Sequence, residues 1–127
     1  MSGELSRAAA ELLASFDSFD FDAVMEQTAD DAQVVDDVSR HWVRGKTSIG
    51  AHMRRVASSV DSLRTELSEV AETIWGDVGL LTCQLEQTYT AEGREGRGIG
   101  PATVVFHREG SEWKLTLFHI VALPEEA

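Results

Sequence analysis

The stretch Ala32–Gly50, AQVVDDVSRHWVRGKTSIG, decides the fold. It reads as a strand, Ala32–Ser39, and then a second short strand, Arg40–Arg44, that stops at Gly45. A helix opens at Thr47–Ser48. Two adjacent aspartates, Asp36 and Asp37, stand inside the apolar part. Either they mark a turn facing water, or one of them is held inside a pocket. Successive side chains of a strand alternate, so Ala32, Val34, Asp36 and Val38 share one face. Three apolar companions put Asp36 on the core side, although a slip of one residue would put Asp37 there instead. A carboxylate on that face loses solvent and has a second negative charge beside it. Both effects favour its protonated form and suit a general base working near neutrality. The plainer alternative is a strand-end acid satisfied by backbone amides, or by Arg40 or Arg44.

On the amino-terminal side, Leu5, Ala8, Ala9, Leu12, Leu13 and Phe16 recur at spacings of three and four, the pattern of an amphipathic helix. Asp20 is placed to cap a second helix with Phe21, Val24, Met25 and Thr28 on one face, ending near Ala29–Asp31. Beyond Gly45, a third helix over 48–59 carries Ile49, Met53, Val56 and Val60 as its stripe. The remainder reads as strands: 62–74, 78–90, 101–108 and 113–122, with turns at Gly76-Asp77 and Glu109-Gly110-Ser111. Residues 91–100 read as a polar, glycine-rich mobile connection. Their Gly96-x-Gly98-x-Gly100 lacks the following helix that a phosphate-binding loop needs. Helices first and hairpin-linked strands last predict an α+β fold with a curved, mostly antiparallel sheet. Strong twist curls such a sheet around helices and leaves a concave face with a mouth at one end. No repeat, linker or low-complexity block interrupts residues 1–127, so a single domain is expected.

The chain has 127 residues and a net charge of −11, from 22 acidic against 11 basic residues. Such a surface repels phosphate backbones and anionic membranes, which argues against nucleic-acid and membrane partners. No apolar run approaches the ~20 residues that span a bilayer. The acid-bearing start MSGELSRAAAELLASF lacks the basic opening of a signal peptide, so a cytoplasmic location is expected. The lone Cys83 has no disulfide partner and reads as a small core residue. The four histidines and Cys83 show no metal-ligand spacing, and neither a metal nor a cofactor is expected.

In the last strand, Trp113, Leu115, Leu117 and His119 share the apolar face. That face looks inward, so His119 is expected in the pocket as a proton shuttle or a ligand contact. Trp113 is expected at the pocket floor or against the first helix. Phe16, Tyr89 and Leu117 are further candidates for its lining, as is Trp42 beside His41 near the mouth. His41, His52 and His107 read as outside. Phe118 and Ile120 beside Val105 read as an outward apolar stripe, the surface of a homodimer.

Taken together, the helix pair at 4–29, Ala32–Gly45 with its two aspartates, Gly45–Ile49 opening a helix, and the closing Gly110-x-x-Trp113-Lys114-Leu115 with His119 resemble the nuclear transport factor 2-like superfamily. More narrowly, the chain resembles its SnoaL-like and ketosteroid-isomerase-like branch. The resemblance implies a cone with an apolar pocket, in a superfamily holding isomerases, dehydratases, epoxide hydrolases, polyketide cyclases and non-enzymatic assembly domains. It implies a general-base aspartate after helix two, in a pattern that Ala32, Val34, Asp36 and Gly45 match. Phe16 stands where that branch keeps its oxyanion-binding tyrosine, and Thr103 near where it keeps a second acid. Two functions stay open. One is a cofactor-independent isomerase, cyclase or dehydratase acting beside a carbonyl on an apolar or cyclic substrate. The other is a non-catalytic dimeric ligand-binding or assembly module.

Overall fold

The computed structural model describes residues 3–36 and 38–120. In chain order these form α1 (Glu4–Asp17), α2 (Phe21–Glu26), β1 (Thr28–Val35), β2 (Val43–Arg44), α3 (Lys46–Ala57), β3 (Ser62–Trp75), β4 (Val78–Ala91), β5 (Arg94–Glu109) and β6 (Glu112–Ile120). The strands make one sheet in the order β2-β1-β6-β5-β4-β3. All neighbours are antiparallel except β1 and β6, which run parallel. This is the α+β cone expected from the sequence, with helices on the concave face of a curved sheet.

Helix α1 buries Leu5, Ala9 and Leu12, a spacing of four and three that faces the sheet. Its first turn leaves backbone N–H groups without helical partners. The carboxylate of Glu72, reaching from β3, accepts the Leu5 N–H at 2.8 Å and the Ser6 hydroxyl at 2.7 Å. The last residue of α1, Asp17, reaches β3 in turn, accepting the Thr65 N–H and its hydroxyl, both at 2.8 Å. Asp20 caps α2 as expected, its carboxylate accepting the Ala23 N–H at 3.2 Å. Leu5, Val24, Ile49, Leu81, Val104, Phe106 and Leu115 are among the core residues between helices and sheet. Cys83 packs among them, and burial pushes its thiol up from the ordinary cysteine range. No helix among the described residues is long and apolar enough to cross a membrane.

Three local readings are corrected. Strand β1 starts at Thr28, whereas the sequence pattern ends α2 near Ala29–Asp31. Thr28 is buried and its hydroxyl donates to the Val24 carbonyl at 2.7 Å, closing the helix one turn early. The glycine-rich segment 94–100 is strand, and the chain reverses at Glu92-Gly93, both with positive φ (52° and 78°). Two such residues suit the twist of a tight hairpin. Gly96 is required by its cross-strand partner Tyr89, whose ring lies 2.2 Å from where a Cβ would stand.

The third correction concerns β6. The β5–β6 register shifts between Phe106↔Leu115 and Val105↔Leu117, so Thr116 is an extra residue. Such a bulge reverses the alternation beyond it. Leu115 faces in, and past the bulge Phe118 and Ile120 face in. Leu117 and His119 pair with the outward Val105 and Thr103. The stripe of Phe118 and Ile120 is therefore interior, contrary to the sequence pattern.

Candidate functional site

Strand β1 buries Ala32 and Val34, and Asp36 follows two residues later on the same side. The chain turns there. Asp36 Oδ1 accepts the Val38 N–H at 3.0 Å and the Ser39 N–H at 2.7 Å, and Ser39 Oγ accepts the Asp36 N–H at 3.1 Å. This turn is the usual local use of an aspartate side chain. It fixes the carboxylate and leaves Oδ2 directed elsewhere. His52 Nε2 stands 3.0 Å from Oδ2. A carboxylate only accepts, so the histidine Nε2–H donates. His52 is 5% exposed, and the Asp36 side chain retains 25% of its surface. Asp36 is the inward acid, and Asp37 lies outside the described residues.

The pair stands at the wall of a cavity of about 170 Å³ between α1, α3 and the concave sheet. Apolar walls come from Leu12, Leu13 and Phe16 of α1, Met53 and Val56 of α3, and Leu85, Leu115, Phe118 and Ile120 of the sheet. The polar residues on it are Asp36, His52, Thr65, Gln87, Tyr89 and Arg97, the last paired with Glu86, and Gly98 stands opposite Gln87 in the strand register. A Cβ added at Gly98 would meet nothing within 4 Å. The missing side chain there is part of what makes the hollow.

Of the residues singled out from sequence, Asp36, Phe16 and Tyr89 line this cavity, and His119, Trp113, Leu117 and Trp42 do not. The bulge at Thr116 turns His119 to the outer side, where its ring lies 6.0 Å from that of Trp42. Leu117 turns out with it. Trp42 lines an outer cleft with His41, Arg44 and Arg55 of α3. Trp113 packs on the first turn of α1. Its indole N–H donates to Glu4 at 3.2 Å, and the Arg108 guanidinium lies 4.3 Å over its ring. His52, expected outside, is buried on the cavity wall, and Gln87 is a lining residue that the sequence pattern does not single out. His52 is three residues after Ile49 and four before Val56, so the helical stripe itself places it inward. Gln87 alternates with the inward Leu85 and Tyr89 along β4. Among the described residues, no three His, Cys, Asp or Glu side chains converge as a metal site would need.

Over residues 6–122 the chain matches the model of the SnoaL-like domain, and it belongs to that family. No curated protein matches it in sequence. Its fold is that of NTF2-like solved structures. A protein from Streptomyces avermitilis, proposed to be a dehydratase of the NTF2-like family, is 16% identical with a TM-score of 0.86, covering 96% of each chain. An NTF2-like superfamily protein from Salmonella enterica is 14% identical with a TM-score of 0.83, over 98% of this chain and 92% of that one. The CaMKII hub of S. rosetta is 18% identical with a TM-score of 0.82, over 97% of this chain and 99% of that one. At these identities the likeness is one of fold.

Proposed function

We propose that the cavity binds a small cyclic carbonyl compound and that Asp36, paired with His52, moves a proton on the carbon beside the carbonyl. The observation that carries this reading is the 3.0 Å contact of the two side chains at the wall of a largely apolar hollow. Asp36 Oδ1 is held by two backbone amides, and Oδ2 keeps a lone pair beside the His52 donor. That lone pair takes the proton. The C–H electron pair becomes the carbon–carbon π bond of an enolate, and negative charge moves to the carbonyl oxygen. Return of the proton to another carbon is isomerisation. Departure of a group one carbon further is elimination. The ring size follows from volume, since cavities of roughly 150 Å³ accept one benzene-sized ring.

The test is deuterium exchange at the carbon beside the carbonyl of cyclohexanone in D₂O, followed by NMR. The wild-type protein accelerates exchange, and Asp36→Asn lowers the catalysed rate about 10²–10⁴-fold, the range for losing a general base. His52→Leu removes one charge-assisted bond and lowers it about 10–100-fold. Equal rates in wild type and Asp36→Asn would sink the proton chemistry.

The second reading is a non-catalytic dimeric module. The outer sheet face carries Leu80, Val105 and Leu117 with Trp42 at its edge, in a fold shared with the S. rosetta hub. Light scattering that finds a homodimer, broken by Val105→Glu, supports assembly through that face. A monomer at working concentration rejects it.

A further inference from the structure

We infer that Gln87 is the group that takes the carbonyl oxygen of the bound compound. The inference rests on the cavity reading above and names the partner of Asp36 that the reaction requires. Charge built on oxygen in the enolate needs a fixed donor aimed at it in a site that excludes water.

The orientation of the Gln87 amide is set by a chain of bonds whose direction admits one solution. The Asp17 carboxylate only accepts. The Thr65 hydroxyl, 2.8 Å from Asp17 Oδ1, therefore gives it its single proton. What remains on Thr65 Oγ1 is acceptor capacity, so the Gln87 group 3.2 Å away is the NH₂ end. The amide oxygen of Gln87 has no partner among the described residues, and one N–H of the NH₂ group remains uncommitted. The residue lines the cavity, and its cross-strand neighbour Gly98 has no side chain to cover it. Asp17 also accepts the Thr65 N–H at 2.8 Å, which anchors the chain to the backbone of β3. The free N–H of Gln87 is thus a held donor on the wall formed by β4, whereas Asp36 is a held acceptor where β1 ends.

The ligand class follows. It has one apolar ring, one oxygen that accepts a hydrogen bond from Gln87, and an acidic C–H beside the carbon bearing that oxygen. Thr65 and Asp17 are positioning residues, because they act through Gln87.

The experiment compares cyclohexanone with methylenecyclohexane, which has the same shape and no acceptor oxygen, by NMR titration. Wild type prefers the ketone about five-fold, the scale of one neutral hydrogen bond. Gln87→Leu and Gln87→Met abolish the preference while still binding methylenecyclohexane, and Asp36→Asn keeps it. In the wild-type protein the Gln87 side-chain NH₂ resonances shift with cyclohexanone and not with methylenecyclohexane, a readout that needs no mutant to fold. A preference that survives both Gln87 variants, or NH₂ resonances that ignore the ketone, overturns the assignment and leaves the cavity and the proton chemistry standing. Loss of preference in the Gln87 variants, with no exchange catalysed by wild type, supports the assignment and rejects the proton chemistry. If neither probe binds, both readings fall.

Discussion

Helix α1 is fastened to the sheet at both ends by a carboxylate, and the two fastenings differ in what they leave open. At the first turn, Glu72 of β3 accepts from Leu5 and Ser6, Trp113 donates to Glu4, and Leu5 is fully buried against Gly79. The donors of the first turn find acceptors there, and the cleft of about 200 Å³ beside them is lined largely by charged side chains, among them Glu4, Arg7, Glu11 and Glu112. At the last turn, Asp17 also accepts two bonds from the sheet, but the chain continues through Thr65 to Gln87 and ends on a free amide. Beside it Gly98 withholds a side chain, and Asp36 and His52 line the same cavity. The same device, a carboxylate linking helix to strand, ends in fastening at the first turn and at the last turn leads on to the cavity proposed above to bind a ligand.

The contrast breaks most sharply at Gly98. Its Cβ would enter open space, so Gly98→Leu puts an isobutyl group into the cavity proposed to take the ring of a ligand. Methylenecyclohexane affinity should fall about 100-fold, roughly 2.7 kcal/mol, by NMR titration. The melting temperature should hold or rise, because an apolar side chain fills a void without displacing neighbours. Retained binding with a lowered melting temperature would show that the hollow is not the binding site.

How far the sequence exposes this contrast depends on the kind of signal. The helix stripe of Leu5, Ala9 and Leu12, the Asp20 cap and the hairpin strands are periodic or local, and they are legible. Asp36 is legible as well, because Ala32 and Val34 carry the alternation directly to it. His119 is misread because one extra residue, Thr116, reverses the alternation, and nothing in the composition of WKLTLFHI marks a bulge. The glycines at 96, 98 and 100 are misread because glycine signals loops. Here the reason lies on the neighbouring strand, where Tyr89 covers Gly96. Gln87 owes its role to Thr65 and Asp17, separated from it by 22 and, through Thr65, a further 48 positions. No local pattern carries that.

At the first turn the sharpest probe is Gly79. A Cβ there would stand 2.6 Å from the Leu5 side chain, which is 0% exposed and has no free direction to move. Gly79→Val should lower the unfolding free energy by about 1–3 kcal/mol, the cost of overpacking a core, measured by urea denaturation. The effect on ketone binding should be small, because the substitution lies at the first turn of α1 rather than the last. A variant as stable as wild type would mean that α1 does not rest on β4 through Leu5.

The smallest effect tests the Glu72 fastening itself. Burial on its own would raise the Glu72 carboxyl, but bonds from the Ser6 hydroxyl and from the amides of Leu5, Ser6 and Gly3 outweigh it and hold the group below the ordinary range. A carboxyl lowered by folding adds stability that is fully present above its unfolded value, about 4.3. That stability is lost as pH falls through the lower folded value. Glu72→Gln keeps the shape and an acceptor but loses the charge at the positive end of the helix. At pH 7 it should cost about 1 kcal/mol, in the range of a lost helix cap. As pH drops below about 4.3, the wild-type advantage should shrink toward zero, because the protonated glutamic acid and the glutamine then present nearly the same group. Unfolding curves of both proteins at neutral and acid pH measure this. A gap that stays constant down to pH 3 would show that the ionised form of Glu72 contributes nothing to holding α1 on the sheet.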